Sequence, residues 1–226
     1  MSVNGDSLTA LALGLLQGPG SNARTILGLV GPPAAGKSTL ARHLVAEVER
    51  VEGPGSAAYV PLDGFHLSGA QLRRLGLTHR KGAPETFDAH GYVALLHRIA
   101  GDRFRDVYVP DFDRTLDEPV AARHVVRPHT RLVITEGNYL ASTDAPWPEA
   151  RRLLRELWYV DTDDALREER LLRRHRDIGR DEATARDWVA GNDHPNGEYV
   201  KTGRPRCTRT VTGSGLPAAP NRGSVP

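Results

Sequence analysis

Residues Thr25 to Thr39 read TILGLVGPPAAGKST: a short apolar run, then Gly31-Pro-Pro-Ala-Ala-Gly-Lys-Ser38, then a helical pattern from Thr39 to Glu52. A glycine-rich segment with GxxxxGK[ST] spacing thus stands where a strand hands over to a helix, which is the arrangement of a phosphate-binding P-loop. Gly31 and Gly36 are expected because the backbone must turn through conformations that a Cβ would obstruct, leaving successive N–H groups aimed at phosphate oxygens. Pro33, Ala34, Ala35 and Thr39 complete the segment that wraps the phosphates, and the helix starting near Lys37 adds its positive N-terminal end. Lys37 supplies a mobile charge to the β/γ-phosphates, and the Ser38 hydroxyl a ligand to Mg²⁺. The plain alternative is a strand–helix turn that meets the spacing by chance, and the matching flanks argue against it.

A chain of 226 residues with 39% hydrophobic content can fill one sizeable core but not two catalytic domains. A single α/β domain over residues 1–211 is expected. The formal charge of +2 is near balance, with no basic block dense enough for a nucleic-acid groove, so a small anionic ligand fits better than a polymer. Among the 30 basic residues only Lys37, Lys81 and Lys201 are lysines, so each lysine calls for a reason. The single Cys207 rules out an internal disulfide, no Cys/His spacing matches a zinc site, and a reducing cytoplasm is the natural compartment. Leu8, Leu11, Ala12, Leu15 and Leu16 recur at helical spacing. Without a basic n-region, and with Gly18-Pro-Gly20 in place of a cleavage site, they read as an amphipathic helix packed on the domain rather than a signal peptide. No later run approaches the roughly 20 apolar residues of a membrane span. Thr212 to Pro226, rich in Gly, Pro, Ser and Ala, reads as a disordered tail.

Beyond the loop helix, Ser56 to Leu62 is a β-type run that stops at Asp63-Gly64-Phe65-His66. A carboxylate at the C-terminal edge of a parallel strand lies on the face where open α/β sheets bind ligands. Asp63 is therefore the candidate general base, although Asp-Gly is also an ordinary turn dipeptide. Ser68 caps a short helix, Gly69 to Leu75, which breaks at Gly76. The polar stretch Arg80 to Asp88 follows, in which Lys81, Glu85 and Asp88 could orient an acceptor, the alternative for Lys81 and Glu85 being a solvated loop pair. A helix from Ala89 to Ala100 then buries Tyr92, Leu95, Leu96 and Ile99. Val107 to Arg114 is β-like and ends in Asp111, Asp113 and Arg114, which either contact substrate or make a local ion pair. Arg131 to Gly137 is a buried strand ending in Glu136, and an acid there in a P-loop protein holds Mg²⁺ or its water shell. Leu157 to Asp161 is a further strand. The helix from Asp163 to Asp177, with Arg180 beyond it, is arginine-heavy: Arg170, Arg173, Arg174, Arg176 and Arg180 either close over a triphosphate as a lid near residues 167–180 or form a solvated face, with Glu169 and Arg173 as an i,i+4 pair. Asp181 to Ala190 reads as a last helix, Gly191 to Asn196 as a turn-rich loop, and Thr208 to Val211 as a short final strand.

In this order, GPPAAGKST, PLDGFH, RKGAPETFD, PDFDR, ITEGNYL, the arginine helix and GNDHPN resemble the P-loop kinase group of uridine kinase, phosphoribulokinase and bacterial pantothenate kinase. The chain is more closely similar to the small nucleoside/nucleotide kinase-like family whose bacterial members are called fructokinase-like. The resemblance runs from about Ala23 to Val200, and Lys201 to Cys207 departs from it. It implies a P-loop NTPase fold, a parallel sheet of about five strands with helices on both faces, and ATP- and Mg²⁺-dependent phosphoryl transfer to an alcohol. By that likeness Asp63 matches the catalytic base, Glu136 the acid beside Mg²⁺, and the Arg170 to Arg180 segment the lid. His66, Lys81, Glu85, Asp113 and Arg114 could hydrogen-bond a sugar, while Phe65, Phe87, Tyr92, Tyr108 and Phe112 leave a nucleoside open; pantothenate is a third acceptor. A P-loop regulator without an acceptor is the reading from a different class, and the Asn-Lys-x-Asp signature of a guanine-nucleotide switch is absent. The implied partners are ATP and a small hydroxyl-bearing metabolite, with no nucleic acid and no membrane, in a monomer or a homodimer.

Overall fold

A computed structural model describes residues 5–17 and 24–212. Its strands are β1 (Thr25–Val30), β2 (Ala57–Pro61), β3 (Val107–Asp113), β4 (Glu118–Val126), β5 (Leu132–Glu136), β6 (Glu156–Asp161) and β7 (Arg209–Thr212). Five of them form one sheet in the order β2-β5-β1-β6-β7, and every pair in it is parallel. Strands of such a sheet are covered on both sides, which is why β2 and β5 are buried at every position.

The pleat sorts the side chains of β1 between two cores. Leu27 and Leu29 join Leu132, Ile134 and Val160 beneath α1 (Gly5–Gly14) and α2 (Lys37–Glu52), where Leu8, Ala12 and Leu16 meet Leu40, Leu44 and Val48. Ile26 and Val30 face the other way. They pack with Tyr92, Leu96 and Ile99 of α4 (Ala89–Gly101) and with Trp147 and Ala150 of α5 (Trp147–Leu153). Helices on both faces are therefore a property of the sequence pattern and of the molecule. On α4, Val93 takes the fully buried place expected for Leu95, which is only partly covered. No helix among the described residues is long and apolar enough to cross a membrane.

Three expectations are corrected. The Val107 to Arg114 run does not add to the main sheet; β3 pairs antiparallel with β4, with a register shift between Val109 and Asp111. Pro110 lies in that irregularity, where its missing N–H breaks no ladder bond. Second, Gly191 to Asn196 is not a loop. After α6 (Asp164–Asp177) and α7 (Glu182–Trp188), the chain winds through a π-helical turn, Val189–Asp193, directly into α8 (His194–Lys201). Pro195 falls in the first turn of α8. Third, β7 takes in Thr212, opposite Asp161. The rest of the expected tail lies outside the described residues.

The two ends of the sheet's strands are finished differently. At the start of β1 the buried Arg24 guanidinium donates to five carbonyls: those of Thr130, Ile99, Asp102, Arg127 and Pro128, at 2.5–3.3 Å. This fastens β1 to the end of α4 and to the turn before β5. The opposite ends, where β1, β2 and β5 exit, carry the P-loop, Asp63 and Glu136.

Candidate active site

The loop after β1 turns its carbonyls into the protein. Lys37 Nζ donates to Gly31 O (2.9 Å) and Pro32 O (3.1 Å), Arg167 Nε to Pro33 O (3.0 Å), Arg170 to Ala34 O (3.2 Å) and Thr162 Oγ1 to Ala35 O (2.9 Å). With all five oxygens occupied, an anion approaching the loop meets donors rather than lone pairs. Ala34 (φ 63°) and Gly36 (φ 92°) both adopt the left-handed conformation, the alternation that gathers N–H groups into an anion-binding concavity. Gly36 then leads into α2, whose first-turn amides have no partner within the helix. Gly31 is required for a different reason from the one expected. Its φ is not left-handed; a Cβ there would stand 2.5 Å from Val160 O, because β6 passes directly behind it.

Beside the loop, the registers put Glu136 opposite both Leu29 of β1 and Pro61 of β2. Ser38 Oγ (2.8 Å) and Tyr59 OH (2.7 Å) donate to the same carboxylate oxygen, Glu136 Oε1. Burial raises the Glu136 pKa, with Asp63 adding to the rise and Lys37 opposing it. A hydroxyl and a carboxylate with one oxygen to spare suit Mg²⁺, a hard cation that takes one or two protein oxygens and completes its shell with phosphate and water. No cluster of three or more metal-binding side chains occurs among the described residues, so the fit depends on phosphate oxygens as well.

Asp63 lies in a 3-10 turn, Leu62–Phe65, and Gly64 explains how that turn is seated: a Cβ on it would come within 2.4 Å of the Pro110 backbone. The Asp-Gly pair is thus a close contact with β3 and not a left-handed turn. Among the described residues no hydrogen bond engages the Asp63 carboxylate. Burial pushes its pKa up, but His66, Arg114, Arg174 and Lys37 outweigh that and hold it below the usual carboxylate range. Lys37 is depressed to about 8 by burial, with Glu136 and Asp63 resisting the fall.

The two polar segments flanking α3 (Gly69–Leu75) are brought together by Leu67 N→Thr86 O and Asp88 N→Phe65 O, both within 2.9 Å. His66 packs between Phe87 (4.1 Å) and Phe112 (4.8 Å). Burial lowers its pKa, and its Nδ1 lies 2.8 Å from Asp63 O, so the neutral ring donates there and leaves Nε2 as an acceptor. Lys81 is held by Asp117 (2.7 Å) over the Phe112 ring. Two expected residues are spent elsewhere. Glu85 pairs with Arg80, while Asp113 accepts from Thr115 N, Leu116 N and Arg123 in the β3–β4 turn.

The expected lid arginines also divide. Arg170 grips the loop, and Arg174, although exposed, has its pKa lowered by desolvation and by Arg114, with Asp63 opposing the fall. Arg176 pairs with Glu182, and Arg180 bonds His175 and lies 3.9 Å over Trp188. Arg173 is exposed as well. Sequence reasoning misses Arg167, Tyr59 and Asn192. The i,i+3 spacing of Arg167 from Arg170 is a usable signal, and Asn192 stands in the GNDHPN motif; nothing local marks Tyr59.

No family profile matches the chain. A Silicibacter protein of known structure, proposed to be the kinase of a fructose transport system, superposes with a TM-score of 0.80 at 35% identity, over 90% of this chain and 98% of its own. A proposed uridine kinase of Schizosaccharomyces pombe is 33% identical over 67% of this chain, which spans 66% of that protein's length. An ATP-dependent kinase-like protein of Aspergillus versicolor is 31% identical over 68% of this chain and 94% of its own. A parallel sheet with this loop at its centre, together with relatives of this extent, shows that the chain belongs to the P-loop kinase group that includes uridine kinase and pantothenate kinase.

Proposed function

We propose that this kinase transfers the γ-phosphate of ATP, with Mg²⁺, to a hydroxyl of a small sugar. The observation that carries the reading is the Asp63 carboxylate: free of hydrogen bonds among the described residues, beside the P-loop, and under the influence of Lys37, His66, Arg114 and Arg174. The acceptor oxygen attacks phosphorus as Asp63 takes its proton, and the bond to the departing ADP breaks. Lys37 with Arg174 offsets the charge that spreads over the transferred group. Ser38 and Glu136 would hold Mg²⁺, which would supply positive charge against the triphosphate.

The choice of a sugar rests on what the aromatic rings are doing. Phe87 is buried against His66 and Tyr139, and Phe65 packs on Tyr92, which leaves few rings to stack a nucleoside base. His66 and Arg114 remain as polar contacts, with Lys81 beside them in its ion pair with Asp117, and the Silicibacter relative is described as a fructose-system kinase. The nucleoside reading keeps the support of the Schizosaccharomyces pombe relative, described as a uridine kinase.

ADP release measured with D-fructose, other hexoses and pentoses, uridine, cytidine and pantothenate decides among these. Turnover that rises with a sugar supports the proposal. Turnover with uridine or pantothenate alone replaces the acceptor, and a rate indifferent to every acceptor replaces the kinase with a nucleotide-binding regulator.

A further inference from the structure

The nucleotide side and the acceptor side of the site are joined by one side chain. On the nucleotide side, α6 holds the P-loop through Arg167 and Arg170, and α8 lies against both: a Cβ on Gly197 would stand 2.7 Å from the Arg167 guanidinium and 3.6 Å from Pro32. The far end of α6 is fastened to the π-helical turn, where the buried His175 meets Asp193 at 2.7 Å and accepts from Arg180. On the acceptor side, Lys81 reaches over Phe112, Phe112 packs on His66, and His66 donates to the Asp63 backbone. Asn192 sits between the two sides. It is 3% exposed, its Nδ2 donates to Lys81 O at 2.8 Å, and its Oδ1 faces Asn196 Nδ2 at 3.4 Å. Among the described residues this is the only hydrogen bond from residues 163–201 to residues 63–126.

A buried amide at a π-helical turn is not demanded by packing. Residues 189–193 bulge out of what would otherwise be continuous helix, a distortion that recurs at functional sites, and here it delivers a donor to a backbone carbonyl of another segment. Lys81 O lies in a partly buried bend, where losing that donor carries a cost. The neighbouring Gly82 is left-handed (φ 100°) and its own carbonyl accepts from Tyr139 OH, so both peptide oxygens of the bend are pinned.

We propose that Asn192 is a positioning residue that couples nucleotide capture to the ordering of the acceptor loop, residues 78–88. ATP drawn onto the P-loop tightens α6 through Arg167 and Arg170, the tightening reaches the π-helical turn through His175 and Asp193, and Asn192 passes it to Lys81. The order of events favours nucleotide first. By reciprocity, an acceptor seated at Lys81 strengthens ATP binding by the same factor. This inference rests on the kinase reading above, and the test separates the two.

Amide hydrogen exchange is followed with and without Mg²⁺ and a non-hydrolysable ATP analogue, in the parent, in Asn192→Ala and in Asn192→Asp, which keeps the size but loses the donor. Slowed exchange at residues 31–40 reports nucleotide binding. In the parent, exchange at residues 78–88 is expected to slow by about 5-fold or more on adding nucleotide, the lower end of usual coupling strengths. Both variants are expected to keep the effect at 31–40 and lose the effect at 78–88. A merely structural Asn192 would raise exchange at 78–88 equally with and without nucleotide and leave the increment in place, which overturns the proposal. A parent with slowing at 31–40 and none at 78–88 overturns it without any variant. No slowing at 31–40 removes the kinase reading and this proposal with it.

Discussion

At one edge of the sheet two carboxylates leave neighbouring strands into opposite surroundings. Glu136, at the end of β5, is 2% exposed, and Ser38 and Tyr59 both donate to one of its oxygens. Asp63, just past β2, has no hydrogen bond to its carboxylate among the described residues and four cationic or ionisable neighbours instead. Both satisfy the rule that ligand-binding acids stand at the exits of parallel strands. The difference lies in what each has left to offer. A carboxylate that hydroxyls already orient beside the P-loop is prepared for a cation, whereas one held ionised but unbonded can accept a proton.

Substitutions should separate the two. Asp63→Asn keeps the size and removes the proton acceptor, so turnover at saturating acceptor should fall by roughly 10²–10⁴-fold while ATP affinity stays near that of the parent. Full turnover, or recovery on adding Mg²⁺, would exchange the assignments of the two acids. Glu136→Gln should raise the Mg²⁺ concentration for half-maximal rate by about 10–100-fold, the scale seen when groups serving a metal are changed. A Mg²⁺ titration that superposes on the parent's would sink the metal-side role.

Lys37 lies under the influence of both acids and offers a finer comparison. With its pKa near 8, it is charged below that pH and neutral above it. The ratio kcat/KM for ATP should therefore fall as pH rises through about 8, roughly tenfold per unit beyond it, since this ratio reports the free enzyme. Glu136 supports the Lys37 charge more strongly than Asp63 does. The descending limb should accordingly move to lower pH in Glu136→Gln by more than in Asp63→Asn; equal shifts would contradict the difference drawn between them. The smallest effect is expected from Tyr59→Phe, which leaves Ser38 as the remaining donor to Glu136. Stability by urea denaturation should drop by about 1–3 kcal/mol, with turnover changed only a few-fold. An unchanged midpoint would mean that the Tyr59 hydroxyl contributes nothing to holding Glu136.

Much of this site is legible in the amino-acid sequence, because its signals are local. The P-loop spacing, the strand-end positions of Asp63 and Glu136, the Ser68 cap and the alternation of apolar strands with amphipathic helices all depend on residues within a turn or two of one another. The same chain misleads wherever the reason for a residue lies far away. Gly31 and Gly64 look like turn glycines, yet each makes room for a distant backbone, at Val160 and Pro110. Gly191 to Asn196 has the composition of a loop, and becomes helical because Asn192 and Asp193 find Lys81 and His175.

The sequence by itself determined the class of sheet, the loop at its centre and the two acids at its edge, since periodicity and motif spacing act over short stretches of backbone. Only the tertiary structure decided which arginines grip the P-loop, which polar residues are consumed by their neighbours, and how the helices after β6 touch the segment around Lys81. The first and last of those outcomes turn on hydrogen bonds between segments separated by a hundred or more residues, such as Arg167 to Pro33 and Asn192 to Lys81. An arginine on a helix carries the same charge in every register. Packing alone chooses the carbonyl it meets.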